Sequence, residues 1–288
     1  MIKNIGFLGL GTVGRHMATN LLKGSYKVKV YDTEASIVED LVKHGAMAAA
    51  NPREAAKGVD MVIYIRPEKE RLRPDIYGPD GIFAGIDAGT ILVDMGTHSL
   101  ESTMEMAEEA QKHRCQFLDA PVWGTKEHAA NGLLTILAGG DSSLIGRCRE
   151  VFSFFGLNVI PVGGIGDGTR MKFIVNLVQA ELMQALAESL VFGEKMGFAA
   201  DKILEVLDSG GVASPLFHSK GRTMARGDFT RNLALKYVHE QLELVLETAR
   251  AQKLQLPGAE SACRLYEQAV EDGRGEEDFS AIIKTLRH

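Results

Sequence analysis

Short apolar runs and amphipathic stretches alternate along residues 1–162, and this alternation restricts the possible folds more than any other feature of the sequence. Ile5–Leu10, Lys27–Tyr31, Met61–Ile65, Thr90–Asp94, Phe117–Val122, Leu133–Ala138 and Val159–Val162 are rich in Val and Ile and have the length of strands. Between them, Val13–Lys23, Ser36–His44 and Ser99–His113 carry apolar residues at helical spacing. Strands linked by helices build βαβ units, so this half reads as an α/β Rossmann domain with a doubly wound, mostly parallel sheet. Ile5–Leu10 and Met61–Ile65 have almost no polar alternation, as expected of strands buried on both faces.

The pattern changes after residue 162. Gly163-Gly164-Ile165-Gly166-Asp167-Gly168 punctuates the chain, and a proline-free stretch follows, with apolar residues at 171, 174, 175, 178, 182, 186 and 190. This spacing predicts one long connecting helix over about 167–196, capped by Asp167 and ended by Gly197. The remainder reads as further helices, broken at Gly210-Gly211, Gly227-Asp228, Pro257-Gly258 and Gly273–Gly275. The expected domains are therefore 1–162, α/β, and 163–288, all-α.

Composition excludes several function classes. With 32 Lys+Arg against 38 Asp+Glu, the net charge of −6 lacks the basic excess of a nucleic-acid-binding surface. Arg66, Lys69, Arg71 and Arg73 are interleaved with Glu68, Glu70 and Asp75, which reads as a solvated loop. No stretch approaches the roughly 18 consecutive apolar residues of a membrane span. Cys115, Cys148 and Cys263 have neither disulfide-framework nor metal-ligand spacing. The expectation is a cytoplasmic protein with no metal, no nucleic-acid partner and no membrane partner.

The strongest local motif is Gly9-Leu10-Gly11-Thr12-Val13-Gly14, placed between an apolar strand and an amphipathic helix, the context that a dinucleotide fingerprint requires. Gly9 makes the tight turn, Gly11 lets backbone approach a pyrophosphate, and Gly14 lets helix pack on strand. Thr12 and Val13 lie at the helix N-terminus, whose N–H groups and dipole favour phosphate. Asp32 ends the second strand, 18 residues after Gly14, where an acid bonds ribose hydroxyls. No Arg, Lys or Ser closely follows Asp32 to receive a 2′-phosphate, and Thr33-Glu34 repels one, so NAD is expected over NADP. Near the start of the long helix, Lys172 and Asn176 stand four apart and so share a face. A desolvated lysine exchanges protons near neutral pH, and an asparagine offers both a donor and an acceptor.

At these residues the sequence resembles the β-hydroxyacid dehydrogenase family, which includes 3-hydroxyisobutyrate dehydrogenase and the tartronate semialdehyde and glyoxylate/succinic semialdehyde reductases. The resemblance runs over essentially the whole chain. Three motifs carry it: Ile5 to Leu22 around the glycines, Asp119-Ala120-Pro121-Val122-x-Gly124, and Gly166-x-Gly168-x-x-x-Lys172-x-x-x-Asn176. The resemblance implies an NAD(P)-dependent enzyme interconverting a small hydroxy acid and its semialdehyde or oxo acid. It implies Lys172 as general acid/base, Asn176 as a substrate-positioning group, Pro67 and Thr97 in cofactor-contacting loops, and a homodimer or homotetramer.

The chain also departs from the family pattern. Where the substrate loop usually reads Ser-Gly-Gly, this chain has Trp123-Gly124-Thr125, the residues here expected to meet substrate. His128-Ala129 replaces a Gly-Ala pair, Glu240-Gln241-Leu242 replaces Lys-Asp-Leu, and Arg66 precedes Pro67 where an apolar residue is usual. Arg66, His128 and His239 are candidate replacement cations for an anionic substrate tail. Two other functions fit the same fold: imine reduction, and a non-catalytic dinucleotide sensor or scaffold. Lys172 argues against both, while Glu240 and Trp123 keep the sensor reading open.

Overall fold

The computed structural model describes residues 2–66 and 69–287, with the side chains of 69–71 left aside. It contains two compact units, Met1–Lys172 and Phe173–His288.

The first unit opens with β1 (Asn4–Leu8), α1 (Gly14–Leu22), β2 (Lys27–Tyr31), α2 (Ala35–Lys43), β3 (Met47–Ala48), α3 (Pro52–Ala56) and β4 (Met61–Tyr64). It continues through α4 (Lys69–Tyr77), α5 (Ile82–Gly85), β5 (Ile91–Asp94), α6 (Leu100–Lys112), β6 (Gln116–Asp119), β7 (Val122–Trp123), α7 (Lys126–Ala130), β8 (Leu134–Gly139), α8 (Ser142–Phe152) and β9 (Gly156–Gly163). The sheet runs β3-β2-β1-β4-β5-β6-β8-β7, with β9 also on β8. The pairs from β3 to β6 are parallel, as is β8 with β9, while β8 runs antiparallel to β6 and β7. The doubly wound, mostly parallel expectation describes this sheet.

One expected strand divides. Phe117–Val122 becomes β6 and β7, because Pro121 has no N–H for a ladder. β6 pairs in parallel with β5, and β6 and β7 both run antiparallel to β8. β1, β4 and β5 are wholly or almost wholly buried, which explains why their sequences lack polar alternation. Helices pack on both faces of the sheet, with Met17, Leu21, Val38 and Leu41 on one core and Ala55, Ile76, Ile82 and Met106 on the other.

The long helix, α9, spans Asp167–Lys195. After it come α10 (Ala200–Asp208), α11 (Pro215–Arg226), α12 (Leu235–Ala251) and α13 (Pro257–Ala269), a π-type turn at Val270–Arg274, a 3-10 turn at Phe279–Ile282, and α14 (Ile283–Leu286). Pro257-Gly258 starts a helix here, since proline suits the first helical turn. Met183, Leu186, Leu190, Leu242 and Tyr266 are in the core of this second unit. Its buried ion pair, Lys220 Nζ to Asp278 Oδ1 at 2.7 Å, ties α11 to the C-terminal turns, and Asp278 also accepts from the N–H groups of Asn232 and Ser280. Among the described residues, no helix is long and apolar enough to cross a membrane.

Candidate active site

Parallel strands present their C-terminal ends as a row of loops, the usual place for ligands in a doubly wound sheet. Gly9, directly after β1, has φ +99°, which favours glycine, and a Cβ there would overlap the Ile65 carbonyl. A Cβ on Gly14 would overlap the Gly9 carbonyl, so α1 reaches the strand only with glycine at that position. Gly11 differs: no atom lies within 4 Å of where its Cβ would be. Its bare backbone faces open space, with room for a pyrophosphate to approach. Val13 is the N-cap residue of α1, and Thr12 and Val13 are half-buried. These residues fit a nicotinamide dinucleotide.

Asp32 follows β2 and closes the same loop. Its Oδ2 accepts from Leu10 N–H at 2.6 Å, and its Oδ1 accepts from Glu34 N–H at 3.0 Å and the Thr33 hydroxyl at 3.3 Å. Chain neighbours alone suggest no cation at this corner, but the fold supplies one. The C-terminal ends of β2 and β4 flank that of β1, which brings Arg66 Nη2 to 3.4 Å from Asp32 Oδ1. Pro67 lies outside the described residues. Thr97 is half-buried in the loop after β5. Asp94 shapes that loop, because its Oδ1 accepts from Gly96 N–H at 3.0 Å and lies 3.3 Å from Nε2 of the buried His98.

Lys172 lies in the second turn of α9, and its position traces to one carboxylate. Asp119, fully buried at the end of β6, accepts from Gly166 N–H at 3.0 Å and Thr169 N–H at 2.9 Å, satisfying donors of the helix's first turn. Burial chiefly, helped by neighbouring Asp94, pushes its carboxyl up to about 6. The Thr103 and Thr169 hydroxyls, 3.1 Å apart, add a second tie. Gly166 has φ +89°, and a Cβ on Gly168 would overlap the Asp119 carbonyl oxygen. The two glycines of the third motif are therefore there for conformation and for close approach.

One turn beyond, Lys172 Nζ donates to Val122 O at 2.8 Å. The side chain is buried, and burial lowers its ammonium to about 8. Among the described residues, Val122 O engages one of its three N–H donors. Such an amine can give up or accept a proton near neutral pH. Asn176, a further turn along α9, is only 5% exposed, and its Nδ2 has no hydrogen-bond partner among the described residues. A buried amide donor of this kind is costly unless something pairs with it.

The substrate-loop candidates play different parts. Trp123 is 46% exposed on β7, opposite Thr135 of β8. Gly124 has φ +147°, and a Cβ there would crowd Leu134 and His128. Thr125 caps α7. Its hydroxyl is 2.8 Å from His128 Nδ1, and its N–H donates to the same nitrogen at 3.2 Å, so both groups hold the turn. Of the candidate replacement cations, Arg66 is buried beside Asp32, His128 belongs to this cap, and His239 is half-buried on α12. Sequence reasoning gave no role to Asp119, Asp94 or His98. Asp119 stands in a quoted motif, but its partners are about fifty residues away and leave no local pattern. Among the described residues, no group of His, Cys, Asp or Glu is placed to hold a metal ion.

Two family models match in tandem: the NAD binding domain of 6-phosphogluconate dehydrogenase over residues 4–164, and the NAD-binding domain of NADP-dependent 3-hydroxyisobutyrate dehydrogenase over 166–286. Glyoxylate/succinic semialdehyde reductase 1 from Arabidopsis thaliana is 31% identical over 98% of each chain. The 2-(hydroxymethyl)glutarate dehydrogenase of Eubacterium barkeri is 33% identical over 97% of this chain and 93% of its own. Among solved structures, a 3-hydroxyisobutyrate dehydrogenase from Mycobacterium tuberculosis with L-serine superposes with a TM-score of 0.90 at 28% identity, covering all of both chains.

Proposed function

Because this chain belongs to the β-hydroxyacid dehydrogenase family of NAD(P)-dependent oxidoreductases, we propose that it interconverts a small hydroxy acid and the matching semialdehyde or oxo acid, with Lys172 as the general acid/base. The observation that carries the reading is the buried Lys172 amine, lowered to about 8 and anchored by one bond to Val122 O. Gly9, Gly11, Thr12, Val13, Gly14, Asp32 and Thr97 hold the dinucleotide in this reading, with Pro67 as a further contact. A bound nicotinamide supplies the hydride in reduction and accepts it in oxidation.

The chain's own residues do the rest. In reduction, the Lys172 ammonium hydrogen-bonds the substrate carbonyl oxygen, polarises it, and gives up a proton as the alkoxide develops. In oxidation, the neutral amine takes the hydroxyl proton. Asn176 Nδ2 is the donor that orients the substrate oxygen or carboxylate. Trp123 and Gly124 border the substrate, and Thr125 sets the shape of their loop. The substrate is a small anionic carbonyl compound, of which succinic semialdehyde and glyoxylate are the first to try.

For the cofactor we propose NADH as the tighter partner, since Asp32 and Glu34 put two carboxylates beside the ribose position. Exposed Phe192, Met196 and Phe198 support assembly into a homodimer or homotetramer, and three free thiols support a cytoplasmic setting. Lys172 favours carbonyl over imine chemistry. The test that separates an enzyme from a dinucleotide sensor is isotopic. Incubation with 4-deuterated NADH and succinic semialdehyde or glyoxylate is expected to place deuterium on the carbinol carbon of the product. Tight NADH binding with no label transferred to any carbonyl in a broad panel would overturn the enzymatic reading.

A further inference from the structure

Arg66 is a buried cation with no part in the chemistry above. Its side chain is 6% exposed, and each contact it makes at this corner is long. Nη2 lies 3.4 Å from Asp32 Oδ1 and 3.5 Å from the Thr33 hydroxyl, and Nε lies 3.3 Å from Asp75 Oδ2. The guanidinium carbon lies 5.9 Å from the centre of the Tyr31 ring. Charge-assisted bonds of arginine settle at about 2.7–2.9 Å, commonly as a two-pronged fork. Here the fork is held near two carboxylates without closing on either. Its stem is fixed as well: a Cβ on Gly9 would come within 3.0 Å of Arg66 Cγ, so the glycine loop leaves room for that stem.

The place is as informative as the spacing. Asp32 is where the ribose hydroxyls of a dinucleotide are read, and the group that distinguishes NADP from NAD is a phosphate on that ribose. A lone carboxylate repels the phosphate. A carboxylate with a guanidinium at 3.4 Å does so far less, and the planar fork matches phosphate oxygens. We infer that Arg66 sets which nicotinamide dinucleotide this site accepts: paired with Asp32, it supplies the cation that a ribose 2′-phosphate needs and admits NADPH beside NADH. The cation comes from the end of β4, so no residue following Asp32 in the chain announces it.

The inference rests on the dinucleotide reading above, and binding titrations separate the two. Dissociation constants for NADH, NADPH, 5′-AMP and 2′,5′-ADP are measured on the intact protein and on Arg66→Met and Arg66→Lys. In the wild type, NADPH is expected within tenfold of NADH. In Arg66→Met, NADPH and 2′,5′-ADP weaken tenfold or more, while NADH and 5′-AMP change less than threefold. Arg66→Lys keeps the charge beside Asp75 and loses the fork, so it reports even if the methionine variant does not fold, with an NADPH loss of threefold or more. Wild-type NADPH binding more than tenfold weaker than NADH, or a loss shared equally by the phosphorylated and unphosphorylated ligands, would overturn the role of Arg66. No binding of NADH at all would overturn the dinucleotide reading and this inference with it.

Discussion

Lys172 and Asn176 are both buried polar groups, and burial is costly to any polar group not fully paired. For Lys172 the consequence is a proton affinity near physiological pH, with burial as the cause. The sign follows from the chemistry. Carbonyl reduction needs the protonated amine, so kcat/KM for reduction is expected to hold below about pH 8 and fall roughly tenfold per unit above it. Hydroxy-acid oxidation needs the neutral amine and is expected to rise through the same range to a plateau. Lys172→Met should remove both limbs and cost about 10²–10⁴ in rate, the usual value of a positioned acid/base. Asn176 makes a different prediction. Its Nδ2 has no partner among the described residues, so Asn176→Leu should leave the melting temperature unchanged or raised while kcat/KM falls at least tenfold. A loss of stability with activity intact would mean that the amide serves packing.

At the scale of elements, the start of α9 is the part on which the site depends. Asp119, Gly166 and Gly168 fasten this first turn to the end of β6, and Lys172 rides one turn further on. Asp119→Ala leaves two helix N–H groups without their acceptor, at about 1–3 kcal/mol each. Chemical denaturation is expected to show a loss on the order of 2–5 kcal/mol, milder in Asp119→Asn, which keeps one acceptor oxygen. The glycine loop, β2, α9 and the strand–helix order were legible in the sequence, because each is a local periodicity or a glycine with a local task. The division at Ala120-Pro121 was legible in principle: proline's missing N–H is a local signal, and the apolar run hid it. The Asp119 clamp and the Arg66–Asp32 pair were not legible. Their partners come from different strands, about fifty and thirty-four positions away, and only sheet order brings them together.

For the whole molecule, two tandem family matches and full-length relatives agree with a doubly wound domain followed by a helical unit. Function within such a fold resides in particular residues, and this chain keeps the lysine while changing the loop proposed to meet the substrate. In the proposed reaction Lys172 moves the proton in a dinucleotide-dependent carbonyl reduction. It is tested most directly by following NADH oxidation with the purified protein and its Lys172→Met variant. The panel comprises succinic semialdehyde, glyoxylate, methylmalonate semialdehyde and tartronate semialdehyde. The wild type is expected to turn over at least one of them and the variant to lose that turnover, with NADH affinity preserved. Equal turnover by both proteins would contradict it.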